Sequence, residues 1–175
     1  RLETKGAASL SGVVMIQCVG SRSEAYPECS RICCQNAVKN ALRIVELNPE
    51  TQVYVLYRDL RTYGLLEDYY TLARQKGVHF VRFDPEAPPL LQAEPEGILV
   101  TVKDHVLGRD IGIRADLVAL SAGMRSTDTS ELSGIMKLNR NPEGYFMEAH
   151  VKLRPVDMPS DGIFLCGTAH GPKLI

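Results

Sequence analysis

Apolar residues in the first half of the chain follow two periods, one typical of strands and the other of helices. Three short runs rich in β-branched and aromatic residues predict buried strands at Gly12–Val19, Gln52–Tyr57 and His79–Phe83. Between them, Ser30–Leu47 and Leu65–Lys76 carry apolar residues at helical spacing. A chain that alternates strand and helix in this way predicts an α/β fold with a doubly wound parallel sheet.

The second half departs from this alternation. Asp84–Glu96 is rich in proline and acidic residues and predicts a loop. Gly97–Val102 and Asp110–Ala115 then predict a β-hairpin inserted into the fold. The apolar run Leu117–Ser121 predicts a buried strand that returns to the parallel sheet.

The character of the chain changes again near Asn139. We therefore predict two parts: residues 1–138, which contain the sheet and the hairpin, and residues 139–175, a C-terminal segment partly separate from it. Within the second part, Gly162–Cys166 predicts a short buried strand.

Composition and charge exclude some classes of function. With 175 residues and 45% hydrophobic content, the chain can form one α/β domain with its own core. Its net charge of −1 gives no electrostatic basis for binding nucleic acid or an anionic membrane surface. No apolar run approaches the roughly 20 residues that span a bilayer.

The N-terminal sequence RLETKGAASLSG lacks the apolar core of a signal peptide, and the chain begins at Arg1 rather than Met. We therefore expect a piece of a longer protein. Clustered cysteines that stay reduced predict a cytoplasmic location.

Four of the five cysteines lie in one short stretch, at Cys18, Cys29, Cys33 and Cys34. The first ends a predicted strand, and the other three lie in or just before the first turn of the following helix. The unpaired N–H groups and positive dipole of a helix start favour thiolates. Four thiolates around one point suit an iron–sulfur cluster or structural zinc, and the spacing and context favour the cluster.

Other interpretations of the cysteines and histidines are simpler. Buried cysteines can be ordinary core residues, and a disulfide framework is an alternative, although adjacent Cys33 and Cys34 would bridge each other poorly. We expect Cys166 to be a buried strand residue with no ligand role. We assign no metal role to the isolated histidines, which are His79, His105, His150 and His170.

The turn after the first strand differs from a dinucleotide-binding turn. It contains Gly20, Ser21 and Arg22 and lacks the G-x-G-x-x-G pattern that lets the backbone approach a pyrophosphate. Cysteines take the place of that pattern, which indicates a nucleotide-binding domain rebuilt around a cluster. The alternative is an intact NAD(P) site contacted by Arg58 and Arg61 after the second strand.

Several segments together make the chain similar to the A subunit of the heterodisulfide reductase family, whose members occur in methanogens and other anaerobes. They are CVGSR, CSRICCQNAVKNA, YVLYRDLRTYG, FDPE, EAHVKLRPVD and DGIFLCGTAHGPK, in the family's order and across almost the whole chain. The resemblance implies a Rossmann-like, three-layer fold of the FAD/NAD(P)-binding type, from a thioredoxin-reductase-like core. It also implies FAD and a [4Fe–4S] cluster held by Cys18, Cys29, Cys33 and Cys34.

The resemblance further implies contacts with the flavin. In the C-terminal segment they fall on Gly167, Thr168, His170 and Lys173, although related flavoproteins often carry an acidic residue where this chain has Thr168. Lys39 is placed near the flavin ring, where an ammonium would stabilise reduced, anionic flavin. The alternative for Lys39 is an exposed lysine on a solvated helix face.

Two functions follow. The first is part of an iron–sulfur flavoprotein oxidoreductase that passes electrons between FAD and [4Fe–4S] clusters, in flavin-based electron bifurcation or disulfide reduction. Its implied partners are other heterodisulfide reductase subunits, hydrogenase or other electron-donor subunits, ferredoxin and a second copy of the chain in a homodimer. The second is a zinc-stabilised interaction module without redox chemistry. We identify no catalytic residue and expect the chain alone to be inactive.

Overall fold

The computed structural model of the chain describes residues 9–173. The N-terminal residues 1–8, part of the stretch that lacks a signal-peptide pattern, and the last two residues of the predicted C-terminal segment lie outside this range. None of the helices formed by the described residues has the length and hydropathy of a membrane-spanning segment.

The described residues form two compact units. The first unit contains the residues up to Gly20 together with Cys33–Ala122, and the second contains Ser21–Ile32 and the residues from Gly123 onward. The division after residue 138 remains a prediction about domains. The compact units change earlier along the chain, and the second takes up a segment that the sequence pattern assigns to the first part.

A parallel sheet of four strands forms the centre of the first unit, as the sequence predicts. Its strands are β1 (Gly12–Val19), β2 (Gln52–Tyr57), β3 (His79–Arg82) and β7 (Leu117–Ala122). Their order in the sheet is β3-β2-β1-β7, and every neighbouring pair is parallel. The helices of this unit are α1 (Cys33–Leu47) and α2 (Glu67–Gln75), the latter preceded by a single 3-10 turn at Gly64–Leu66.

The central strand β1 is apolar on both faces because both faces are covered. Val13 and Met15 pack with the buried face of α1 in one core cluster. Val14 and Ile16, on the opposite face, pack with residues of an antiparallel sheet in a second cluster. A continuous apolar run is therefore the expected pattern for this strand.

That antiparallel sheet has three strands, and the sequence predicted only two of them. It consists of β4 (Leu90–Glu94), β5 (Gly97–Asp104) and β6 (Arg109–Ala115), in that order. The prediction of a loop over Asp84–Glu96 was wrong for β4, because a neighbouring strand supplies its hydrogen bonds even though prolines precede it.

Strand β7 returns to the parallel sheet as predicted, but it is not buried. It pairs only with β1 in the described sheet and forms the edge, and Leu120 is 56% exposed. The residue before this strand, Asp116, ties it to the start of β1. Its carboxylate accepts hydrogen bonds from the N–H groups of Ser11 (2.6 Å) and Gly12 (2.9 Å).

The second unit has little regular structure. It contains the short helix α3 (Ser130–Met136), which the sequence did not predict, and a 3-10 turn at Gly167–Ala169. Its buried apolar cluster consists of Leu138, Phe146, Met158 and Leu165.

The prediction of a buried strand at Gly162–Cys166 was wrong. This segment forms only an isolated bridge through Phe164, and Cys166 is exposed. A strand needs a neighbouring ladder to satisfy its backbone, and here a single bridge replaces it.

Candidate metal centre

Cys18 lies at the carboxyl end of β1 in an unusual backbone conformation. Its φ angle is 61°, in the left-handed region that residues other than glycine avoid. The pairing register between β1 and β7 also shifts between Ile16 and Val19. Strict alternation would turn the Cys18 side chain away from α1, and this irregularity interrupts the alternation at that residue. Backbone strain of this kind concentrates at ligand sites.

Cys33 and Cys34 are the first two residues of α1. Cys33 is half-buried, whereas Cys34 is only 4% exposed, and its thiol lies 3.7 Å from the carbonyl oxygen of Asp59. Asp59 follows the carboxyl end of β2, so this contact joins the helix start to the edge of the sheet where parallel α/β folds bind their ligands.

Cys29 belongs to the second unit. Its sulfur accepts a hydrogen bond of 3.4 Å from the N–H of Arg31. Ser30 beside it is buried, and its hydroxyl accepts a hydrogen bond of 2.6 Å from the N–H of Met124. The helix was predicted to begin at Ser30, but it begins three residues later. The left-handed conformation of Arg31, with φ 61°, is incompatible with a right-handed helix and delays its start.

The structure therefore brings three of the predicted ligands, Cys18, Cys33 and Cys34, into one unit and places Cys29 in the other. Among residues 9–173, no group of three or more histidine, cysteine, aspartate or glutamate side chains is arranged to hold a metal ion. The four-cysteine ligand set therefore remains a prediction.

Sequence reasoning missed one residue beside these cysteines. Gln17 is 1% exposed, and within the described residues neither atom of its side-chain amide has a hydrogen-bond partner. Buried amides are nearly always hydrogen-bonded in native proteins. A polar residue inside the apolar run VVMIQCV was the available signal. The amide is next to Cys18 in the chain and has two N–H groups that can donate. It therefore fits a site that is completed by an anionic group, such as an iron–sulfur cluster.

The predicted flavin contacts of the C-terminal segment lie close together in the second unit. Gly167 and Thr168 are exposed in the 3-10 turn, and His170 and Lys173 follow it. The Lys173 ammonium lies 2.6 Å from Nδ1 of His170. Because an ammonium can only donate, Nδ1 accepts this hydrogen bond.

Glu148, which the sequence reasoning did not identify, holds the other side of this imidazole. Its carboxylate accepts a hydrogen bond of 2.5 Å from Nε2 of His170. The pKa of Glu148 is held below its usual value, first by the hydrogen bond from its own backbone N–H and then by that from His170. Both ring nitrogens of His170 are engaged by these two contacts, so the donors that remain for an anionic or carbonyl-rich ligand are the other N–H groups of the Lys173 ammonium and those of the exposed turn.

Lys39 lies in the first unit, away from this segment in the chain, and is exposed on α1. Its exposure is compatible with either of the two interpretations given above.

Comparisons with known proteins show what the chain is similar to. No family model matches the chain. The chain is 39% identical over 175 residues to the A subunit of ferredoxin:CoB-CoM heterodisulfide reductase from Methanosarcina acetivorans, covering 98% of this chain and 22% of the relative. The chain is similar to one segment of the heterodisulfide reductase A subunits, as the sequence motifs predicted.

Other curated A subunits agree. The chain is 44% identical over 166 residues to the iron-sulfur A subunit of CoB–CoM heterodisulfide reductase from Methanocaldococcus jannaschii, covering 92% of this chain and 25% of the relative. It is also 44% identical over 165 residues to the A subunit of the H(2)/formate:CoB-CoM heterodisulfide,ferredoxin reductase from Methanococcus maripaludis. This match covers 91% of this chain and 25% of the relative. The chain thus spans about a quarter of the length of these relatives.

Solved structures confirm the predicted fold class. A Cu(II) complex of the HOCl-induced flavoprotein disulfide reductase RclA from Escherichia coli matches with a TM-score of 0.55 at 12% identity, over 97% of this chain and 33% of that one. Thioredoxin reductase from T. acidophilum matches with a TM-score of 0.55 at 13% identity, over 93% of this chain and 45% of that one. At these identities the likeness concerns the fold alone: a Rossmann-like α/β fold of the flavoprotein disulfide reductase type.

Proposed function

We propose that the chain is the cluster-binding part of an iron–sulfur flavoprotein oxidoreductase of the heterodisulfide reductase A type. The observation that carries this proposal is the position of its cysteines in the first unit. Cys18 lies at the carboxyl end of the inner strand β1, and Cys33 and Cys34 begin the helix that follows it. In a dinucleotide-binding domain, glycines and a pyrophosphate occupy that position. The identity to curated A subunits supports the same function.

The ligands we propose for a [4Fe–4S] cluster are Cys18, Cys29, Cys33 and Cys34. The donor set fits, because iron–sulfur clusters are held by cysteine thiolates and carry net negative charge. The start of α1 supplies N–H groups and a positive dipole end beside Cys33 and Cys34. The left-handed conformation of Cys18 is the feature that would turn its side chain toward the helix start.

The residues we propose for FAD contact are Lys39, Gly167, Thr168, His170 and Lys173. Glu148 fixes the tautomer of His170, with the proton on Nε2, and Lys173 is held at Nδ1. When bound, FAD exchanges electron pairs and a [4Fe–4S] cluster exchanges single electrons. The chain's part in this chemistry is to hold the two groups and to place positive charge beside them.

The remaining parts of the proposal follow from the relatives. Their names include ferredoxin and the CoB-CoM heterodisulfide, and one also includes hydrogen and formate. We infer that this chain works with other heterodisulfide reductase subunits, with ferredoxin and with hydrogenase or other electron-donor subunits. We also propose that the chain forms a homodimer and is located in the cytoplasm. The overall reaction we propose is flavin-based electron bifurcation or disulfide reduction.

The decisive experiment is anaerobic reconstitution of the 175-residue chain with iron and sulfide. We expect about four irons per chain and the broad visible absorption of a cluster. Cys34→Ser should abolish incorporation, because it removes a buried thiolate ligand from the helix start. Cys166→Ser is the matched control and should retain all the iron.

Two results would contradict this proposal. One is loss of iron in Cys166→Ser but not in Cys34→Ser, which would overturn the ligand assignment. The other is stoichiometric zinc without visible absorption, which would support the interaction module instead. Oxidation of NAD(P)H by the chain alone would revive the nicotinamide interpretation.

A further inference from the structure

Gln17 has a side chain that the packing of the first unit does not explain. Gln17 is 1% exposed, and its side-chain atoms Oε1 and Nε2 have no hydrogen-bond partner among the described residues. A leucine or methionine would fill the same space without removing an amide from water. Burial of an amide without a partner opposes folding, so a partner that is added later would explain why the position is polar.

The topology places this amide beneath the start of α1. Val13 and Met15 pack in the same core cluster as α1, and residues two apart in a strand share a face. Gln17 is the next residue on that face, at the carboxyl end of β1. Since α1 connects two parallel strands, it runs back along β1, and its first turn lies over the strand's carboxyl end.

That first turn carries Cys33 and Cys34, and Cys34 is as buried as the core around it, at 4% exposure. Cys18 directly follows Gln17 in the chain. Gln17 therefore directly precedes one proposed ligand and lies on the sheet face that α1 covers, and it shares the first unit with Cys18, Cys33 and Cys34. The side chain has two N–H donors, and the sulfurs of a cluster and of its thiolate ligands are acceptors.

We propose that the Gln17 side-chain amide donates an N–H···S hydrogen bond to the bound cluster or to one of its cysteine sulfurs, and so raises the cluster's reduction potential. This inference rests on the proposed function. The reduced cluster carries one more negative charge than the oxidised cluster, and a donor stabilises the more negative state more strongly. Hydrogen bonds to the sulfurs are among the factors that set such potentials.

The test compares Gln17→Met with the wild-type chain, both reconstituted anaerobically. Methionine keeps the length and volume but removes the donor. Gln52→Met is the control, because Gln52 is an exposed glutamine at the opposite end of the same sheet. We expect full iron content in all three proteins and a more negative midpoint potential in Gln17→Met alone, measured by a redox titration followed in the visible spectrum.

A second measurement uses the proteins without iron and separates this role from a structural one. If the amide has no hydrogen-bond partner until a cluster binds, Gln17→Met removes an unsatisfied polar group from the apo protein. The apo form of Gln17→Met should then melt at the same temperature as the wild-type apo form or higher. An apo form that melts lower would show that Gln17 already has a structural partner, which would overturn the inference.

The remaining outcomes separate the inference from the function beneath it. Equal potentials in wild type and Gln17→Met, with full iron in both, would overturn the role of Gln17 and leave the cluster proposal standing. A wild-type chain that takes up no iron would overturn both. If Gln17→Met fails to fold, pulsed EPR of the reduced wild-type chain, labelled with ¹⁵N in its glutamine side chains, replaces it. The measured quantity is the coupling between a glutamine side-chain ¹⁵N nucleus and the electron spin of the reduced cluster. If this coupling is present and persists in Gln35→Met, which removes the glutamine on α1, it supports the inference. If the coupling is absent, the inference is overturned.

Discussion

The first unit surrounds its parallel sheet with two large core clusters, whereas the second packs its chain around four buried apolar residues. Both units expose some large apolar side chains, such as Val106 at 94% in the first and Leu153 at 80% in the second, so the difference lies in the size of the buried cores. Because burial of apolar surface is the main favourable term in folding, the second unit has the smaller reserve of stability.

The four cysteines proposed as cluster ligands are divided between the two units. Cys18, Cys33 and Cys34 are anchored to the better-packed unit, and Cys29 belongs to the weaker one. Two predictions on packing, one on hydrogen bonds and one on pH test how differently the two units behave.

The largest effect is expected from Leu56→Ala in the first unit. Leu56 is fully buried on β2, and its truncation leaves a cavity that should lower the free energy of unfolding by about 3 kcal/mol. Leu120→Ala, at the exposed edge strand β7, is the matched control and should change it by less than about 1 kcal/mol. Urea denaturation followed by circular dichroism measures both. Equal losses would show that the core of the first unit has been misassigned.

Met158→Ala should have a smaller and more local effect. Met158 is 2% exposed in the small cluster of the second unit, and we expect a loss of about 2 kcal/mol, at the low end for such truncations. Hydrogen exchange should become faster in the second unit, while the amides of β1 keep their protection. If β1 loses protection by the same factor, the two units unfold together and the contrast between them is wrong.

Removal of the Asp116 carboxylate, which clamps the start of β1, should lower the free energy of unfolding by a smaller amount again. Its carboxylate accepts hydrogen bonds from two backbone N–H groups at the start of β1, so Asp116→Ala should destabilise the first unit by about 1 kcal/mol. Asp110→Ala, on an exposed position of β6, is the control. Faster exchange of the Ser11 and Gly12 amides in Asp116→Ala alone would confirm the clamp. Unchanged exchange would contradict it.

The two units also differ in how well the sequence predicts them. Strand β1 and helix α1 follow from hydrophobic periodicity, because each buries a face or stripe against a large core. Strand β7 has the same apolar appearance as β1 and yet lies at the edge of the sheet, since periodicity does not reveal strand order. Strand β4 was missed because pairing with β5, rather than its own residues, makes it a strand.

The candidate site was only partly predictable for related reasons. The spacing of the cysteines located the strand end and the helix start, but not the left-handed backbone of Cys18 and Arg31, which residues other than glycine rarely adopt. Nor could local pattern find Glu148, which lies 22 residues from His170 along the chain. Contacts of that separation depend on the tertiary path of the second unit.

The smallest effect concerns pH and the ion pair of the second unit. The pKa of Glu148 lies below its usual value of 4.5 because the folded chain donates hydrogen bonds to its carboxylate. Since the folded pKa is below the unfolded one, ionised Glu148 stabilises the fold above about pH 4.5, and this contribution is lost as the pH falls through the folded pKa. An NMR titration of the Glu148 side-chain carboxyl should therefore give a midpoint below 4.5 in the wild-type chain. In His170→Ala the midpoint should rise, but only part of the way, because the first cause of the shift is the backbone hydrogen bond, which remains.

His150→Ala is the control, since the His150 ring accepts hydrogen bonds from the N–H groups of Lys152 and Leu153 instead. A midpoint that is the same in His170→Ala and in wild type would show that the imidazole does not hold this carboxylate, and with it the proposed orientation of His170 would fail.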